Sequence, residues 1–411
     1  MNNQRHPILD KLYMLVLVLM PVLAQYRIGP LDLDVVMMAV LLLIFLITSQ
    51  YLTITRFNGL VLGIILYIIG ITALNLFFGE KFSKESEIIL RAGRYCLYLL
   101  VVFFFGNKHV GYADLMRIYR VIAYAASIYI LIQAVFYYGA GITLPNKIGG
   151  TSQNTNMADV GRLRSFYSEP AELGYNLLPF IACSLFGEPY QKNGKNSGYQ
   201  DALLVTVAVV VSTSGQGVIA AITVWALWFV VHVFRGDMKF RDVMLVIGVA
   251  IAAVILYSTG ILEYTLGRVE SGSDDTGAIA ARSTGYDSLS LLSPLQLVFG
   301  TGFGNYVVEN RYGLDMVYEF VNYSSIAEFL FTLGILGILL WVIFFTRIFC
   351  KGNLCSKVLL IAMVVLSLYG CPMTGKHFPL WLTLMCVQLP KGLFVPEKRV
   401  ETAQYGKGNF H

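Results

Sequence analysis

Phe57-Asn58-Gly59-Leu60-Val61-Leu62-Gly63-Ile64-Ile65-Leu66-Tyr67-Ile68-Ile69-Gly70-Ile71-Thr72-Ala73-Leu74-Asn75-Leu76-Phe77-Phe78 contains no charged side chain. At a helical rise of about 1.5 Å per residue the run is about 33 Å long, enough to cross a hydrocarbon core of about 30 Å. Comparable runs recur at 12–28, 33–49, 92–106, 118–140, 171–187, 201–214, 217–234, 243–260, 323–346, 357–371 and 377–394. They predict an all-α, polytopic membrane protein with about 12 transmembrane helices. Composition agrees: 56% of the residues are hydrophobic and 13% charged, against about 25% charged in soluble domains.

Basic residues set the orientation. With the N-terminus in the cytoplasm, the inner segments carry 18 of the 30 Lys and Arg but only 8 of the 25 Asp and Glu. The net charge of +5 is then a signature of membrane topology, and no nucleic-acid partner is expected. The chain reads as a single integral membrane domain, 1–411. Its outer loops are 141–169 and the larger 261–320, and its polar cytoplasmic tail is 395–411. Segment 188–200 reads as a flexible inner loop, and 80–94 as an outer amphipathic helix running into a span. The first run is expected to stay as an uncleaved helix because further spans follow at once.

The six cysteines show no CxxC spacing, so neither a disulfide framework nor a metal site is expected. No cofactor is expected either. No internal repeat is visible, which weighs against a transporter built from inverted halves. His377 is the one histidine this topology puts outside; beside Lys376 it reads as an interfacial residue rather than a base.

The first outer loop ends in Gly161-Arg162-Leu163-Arg164-Ser165-Phe166-Tyr167-Ser168-Glu169-Pro170-Ala171-Glu172-Leu173-Gly174. Pro170 suits the first helical position, and Glu169 and Glu172 suit the positive end of a helix. That leaves Arg162 and Arg164 unexplained on the less basic side of the membrane. Guanidinium forks bind phosphate oxygens in bidentate fashion, so both are candidate ligands of an anionic substrate. The second loop adds Arg268, Arg282 and Arg311. Arg282 has no acid within four residues and is the better ligand; Arg268 has Glu263 and Glu270 as alternative partners. The apolar piece 291–295, broken by Pro294, is too short to span and is expected on the outer interface. Gly300, Gly302 and Gly304 are best explained as a turn allowing close backbone packing. Arg91 and Arg94 lie one turn apart, with Glu87 placed to pair with Arg91. Tyr167, Tyr286 and Tyr306 could stack on sugars or belong to an aromatic belt.

Arg164–Gly174 resembles the stretch before a central span in Wzy-type polymerases of O-antigen and capsular polysaccharide. Ser212-Thr213-Ser214-Gly215-Gln216-Gly217 resembles that family's Ser-rich break between two later spans. Phe299–Asn305, with Asn322-Tyr323-Ser324-Ser325 and Leu333-Gly334-Ile335-Leu336-Gly337, is similar to the end of its large loop and the next helix. The likeness covers patches of 160–340. It implies a glycosyltransferase of the bacterial cytoplasmic (inner) membrane that joins lipid-linked oligosaccharide repeat units, carried on undecaprenyl pyrophosphate, into surface polysaccharide. Expected partners are that lipid-linked oligosaccharide, membrane lipids, and a flippase and chain-length regulator of the same pathway. Under this resemblance Glu169, Arg164 and Arg282 are the candidate catalytic residues. Arg162, Arg164, Arg268, Arg282, Tyr167 and Glu172 are candidate substrate contacts. The wider superfamily includes O-antigen ligases, which carry a functional histidine just before the helix after the large loop. Here that place reads Asn322-Tyr323, which disfavours a ligase. A lipid-linked-oligosaccharide flippase is the competing class; the span cores, nearly free of charge, weigh against it.

Overall fold

The structure, a computed structural model, describes residues 7–48, 56–106, 110–147, 163–187, 197–236, 284–309, 311 and 320–389. The run 243–260 and the tail 395–411 lie outside the described residues. So does nearly all of 188–200.

The described residues are mostly helical. Helix α1 is Pro7–Leu23, followed by a two-residue hairpin of β1 (Arg27–Ile28) and β2 (Leu31–Asp32) with Arg27 opposite Asp32. Then come α2 (Leu33–Thr48), α3 (Arg56–Phe78), α4 (Glu85–Leu100) with a π-helical turn Val101–Gly106, and α5 (Tyr112–Ala140). Helices α6 (Pro170–Phe186), α7 (Ser197–Val211) and α8 (Gly215–Arg235) form the next group. The last group is α9 (Pro294–Phe299), α10 (Ser325–Lys351), α11 (Leu354–Ser367) and α12 (Phe378–Cys386). Among the described residues, four helices are long and apolar enough to cross a membrane: Phe57–Phe78, Tyr112–Ala140, Gly215–Arg235 and Ser325–Lys351. The protein is membrane-embedded. Below, "outer" names the helix ends that the charge asymmetry assigns to the outer side.

Helix ends follow the local chemistry. Pro170 opens α6 at its first turn. Ser214 accepts from the Gly217 N–H to start α8, and Ser324 does the same for Ala327 in α10, each satisfying one orphan donor. Helix α6 is the hub: it packs on α5, α7, α8 and α11 and is buried at nearly every position. Its tightest neighbour is α8, where a methyl on Gly174 would stand 2.9 Å from the Gly217 Cα.

The apolar piece around Pro294 keeps its side chains on the outside of the protein, with none of its helix residues buried, but it ends beside the middle of α3 and hands over to a buried loop at Gly300–Asn305. Helix α9 opens on a capping box between Ser293 and Gln296. It leads down to Phe299, whose carbonyl lies 2.8 Å from the Tyr67 hydroxyl. Tyr67 stands 11 residues (78 − 67) before the end of α3, about 16 Å down the helix axis. The chain then climbs: Gly302 meets the Thr72 Cα, Gly304 meets Arg91, and Asn305 binds the backbone of Glu80 and Phe82. Gly300, Gly302 and Gly304 all have positive φ, at 86°, 93° and 83°, a conformation that side chains disfavour.

Helix α10 answers this loop with a break. Gly334 has φ 64° inside it, and the carbonyls of 331–333 leave the helical ladder. Thr301 N donates to Phe331 O at 3.1 Å and Gly302 N to Thr332 O at 2.9 Å. The Tyr67 hydroxyl reaches Leu333 O at 2.9 Å. Irregular backbone at membrane depth is tolerable only when buried in protein and satisfied in this way.

Candidate active site at the outer helix ends

The approach to α6 is a pinned turn. Ser165 has φ 53°, and its N–H and hydroxyl donate to Gln133 Oε1 and Ala126 O, at 2.8 and 2.9 Å. Gln133 returns a bond to Ser165 O at 3.2 Å. This fixes the backbone that carries Arg164. The Arg164 side chain is buried, and its Nη1 donates to Ser168 O at 2.8 Å. Burial pulls its guanidinium below the ordinary arginine range, with Glu169 opposing that shift; an arginine remains a cation at neutral pH regardless. Glu169 caps α6 by position, but its exposed side chain makes no cap bond. Glu172 accepts from the Ser168 hydroxyl and lies 4.0 Å from Lys376 Nζ.

Tyr167 occupies a different setting from that of a sugar platform. Its ring is 0% exposed, and its hydroxyl accepts from Asn176 Nδ2 at 2.7 Å. An enclosed ring has no face to offer a sugar, so Tyr167 packs against the core. Arg162, Arg268 and Arg282 lie outside the described residues.

Around this segment stands a network of ionisable groups that sequence reasoning missed or undervalued. Lys376, on the turn before α12, faces Glu172 and also Asp34 at the head of α2. Asp34 is fully buried and accepts from the Tyr98 hydroxyl at 2.5 Å. Arg94 lies 3.6 Å from Asp32 and within reach of Asp34 and Glu328. Arg91 forms the expected pair with Glu87, at 2.9 Å, and does more: it donates to Gly304 O at 3.0 Å and covers the Tyr306 ring at 4.6 Å. Burial and Glu328 together push the Tyr306 hydroxyl upward. Tyr286 donates to Leu368 O at 3.2 Å and accepts from Ser324 at 3.0 Å. The available signal was the acid within an apolar run: Asp34 and Glu328 each stand inside a span, where a carboxylate marks a functional site by default.

The motif patches meet here. Tyr175 donates to Gln216 Oε1, and Gln216 Nε2 donates to Tyr369 O at 2.6 Å. Ser325 N donates to Gly370 O at 2.7 Å, and Met373 N to Ser325 Oγ at 3.0 Å. Segments near 175, 216, 325 and 370 are thus one hydrogen-bonded cluster under the charged network. His377 belongs to this core rather than to an interface: it is 3% exposed, its ring 5.0 Å from that of Tyr175. Chemically, the arrangement offers partly exposed cations for an anion's oxygens and carboxylates close by for a proton. No protein-family model, curated protein or solved structure matches the chain.

Proposed function

We propose that the chain is a polymerase of the bacterial cytoplasmic membrane. It joins undecaprenyl-pyrophosphate-linked oligosaccharide repeat units into surface polysaccharide, working at the outer face with about 12 spans. The observation that carries this reading is the gathering of Arg91, Arg94, Arg164 and Lys376 at one set of helix ends, with half-buried carboxylates among them. Glycosyl transfer from a lipid pyrophosphate has two needs. The leaving pyrophosphate builds up negative charge, which fixed cations stabilise without a metal. The attacking sugar hydroxyl gives up a proton, which a carboxylate can take. Arg162, Arg268 and Arg282 are proposed to complete the cation set from the outer loops.

The test is reconstitution. The purified full-length chain, given a defined undecaprenyl-pyrophosphate-linked repeat unit, should produce a ladder of longer glycans. Release of single units onto a lipid A core would point to a ligase instead.

A flippase remains the alternative reading, favoured by the two acids inside spans. Both sit within a few residues of an outer helix end, however, and on the inner side Arg120 is locked to Asp201 at 2.6 Å, with Tyr124 on the same carboxylate. Transport of a fluorescent lipid-linked oligosaccharide across proteoliposomes without polymer formation would establish it. The topology has its own check. Cysteines placed at 150 and 275 should react with an impermeant maleimide in intact cells, and one at 195 should not; outside labelling at 195 would overturn the orientation.

A further inference from the structure

We propose that Glu328 is the group that takes the proton from the acceptor sugar's hydroxyl, an assignment that rests on the polymerase reading above. Glu328 stands in the first turn of α10, above the break at Gly334, and is only 9% exposed. Thr374 holds it with a side-chain hydrogen bond. Arg91 and Arg94 are within electrostatic reach, and so are the hydroxyls of Tyr95, Tyr306 and Tyr323. Glu328 is therefore the common neighbour of groups from α4, the loop after α9, the segment before α10 and the turn before α12.

Two features separate it from a mere counter-charge. Both guanidiniums that face it have nearer carboxylates of their own: Arg91 has Glu87 at 2.9 Å and Arg94 has Asp32 at 3.6 Å. Among the described residues no ion pair closes on Glu328, so its oxygens are not consumed as those of Asp201 are. The two guanidinium side chains are also partly exposed, at 23% and 28%. A pyrophosphate drawn to them would bring the anomeric carbon toward this carboxylate. Glu169, the carboxylate among the candidate catalytic residues of the sequence, is exposed to water and stands beside Arg164 and Glu172 instead.

The step balances. The acceptor hydroxyl oxygen forms the new bond to the anomeric carbon. The bond from that carbon to the pyrophosphate oxygen breaks, and its electron pair leaves with undecaprenyl pyrophosphate. The hydroxyl proton passes to the Glu328 carboxylate and then to water.

The experiment uses the full-length chain in lipid nanodiscs with a defined undecaprenyl-pyrophosphate-linked repeat unit. Glu328→Gln should lower kcat about 10²–10⁴-fold with little change in KM. Its residual rate should lose the acidic limb of the wild-type pH profile, because that limb records protonation of the base. Asp114→Asn, an exposed acid paired with Arg117 at the inner end of α5, should stay within about threefold of wild type, well inside the loss expected for a base. A structural counter-charge would change accumulation or KM and leave the limb in place. If Glu328→Gln fails to accumulate, Glu328→Asp decides: it keeps the charge, and a displaced acidic limb with reduced kcat is expected. Polymerisation by Glu328→Gln within threefold of wild type, or an unmoved limb in Glu328→Asp, overturns the assignment. If the wild-type chain makes no polymer, the polymerase reading falls and the assignment with it; if only the variants behave normally, the reading stands and Glu328 is released.

Discussion

Gly300→Ala should stop the protein from accumulating as a monodisperse species in detergent. Gly300 has φ 86°, where an added side chain is strained by about 1–2 kcal/mol. Its new methyl would also overlap Thr332 O and come within 2.6 Å of the Leu333 carbonyl carbon. These are backbone atoms of a helix, which cannot swing away as a side-chain tip can, so a further 1–3 kcal/mol of overpacking, roughly, is expected. The constraint is mutual: a methyl on Gly334 would lie 2.5 Å from Val298 O and 2.6 Å from Gly300 N. Gly334→Ala should therefore fail in the same way. Gly63→Ala is the control, since nothing lies within 4 Å of its added methyl and alanine favours a helix by about 1 kcal/mol over glycine. Fluorescence-detected size exclusion after a heating series reads all three. A Gly300→Ala protein as heat-resistant as wild type would refute the close packing of the loop after α9 on α10.

Arg164→Lys should cut the polymerisation rate on the order of 10²-fold, the scale of losing one well-placed donor to developing charge. The charge survives in this variant; the planar fork and its second N–H do not. Because the Ser165 turn is held by bonds that do not involve the guanidinium, the fold should persist, at a cost of about 1 kcal/mol for the bond to Ser168 O. The rate is to be measured at saturating lipid-linked substrate and compared with Arg117→Lys. Arg117 is 78% exposed and, among the described residues, paired with Asp114 at the inner end of α5, so that substitution should leave the rate unchanged. Equal rates for Arg164→Lys and wild type would remove Arg164 from the pyrophosphate site.

How much of this was legible beforehand differs by kind of feature. The helical, membrane-embedded character follows from uncharged runs such as 57–78. The start of α6 at Pro170, the Glu87–Arg91 pair and the tight turn of Gly300, Gly302 and Gly304 follow from local residue chemistry, and each is present; the break at 212–214 is an expectation from the family resemblance. What stayed hidden depends on depth and on distant partners. Periodicity cannot give the depth at which a short apolar helix ends, because every depth needs the same residues; the Tyr67 hydroxyl, more than 200 positions away, is what locates the end of α9. The break at Gly334 was invisible for the same reason: glycine within an apolar run is common in spans. Glu328 and Asp34 stand out little in the sequence, because a single acid hardly changes the hydropathy of a long run.

The three carbonyls released at 331–333 also bear on inheritance and synthesis. Their partners at 301, 302 and 67 all leave the ribosome earlier than α10 does, and the two sides then take their shape from each other. An exchange of the outer loop between related chains would then be a transplant into the helix itself: unless the incoming loop presents amides at the same depth, three polar groups are stranded in hydrocarbon. Variation in this protein should accordingly move the loop tip and the helix apart from each other only beyond residue 305, while 299–302, Tyr67 and 331–334 are passed on together as one unit.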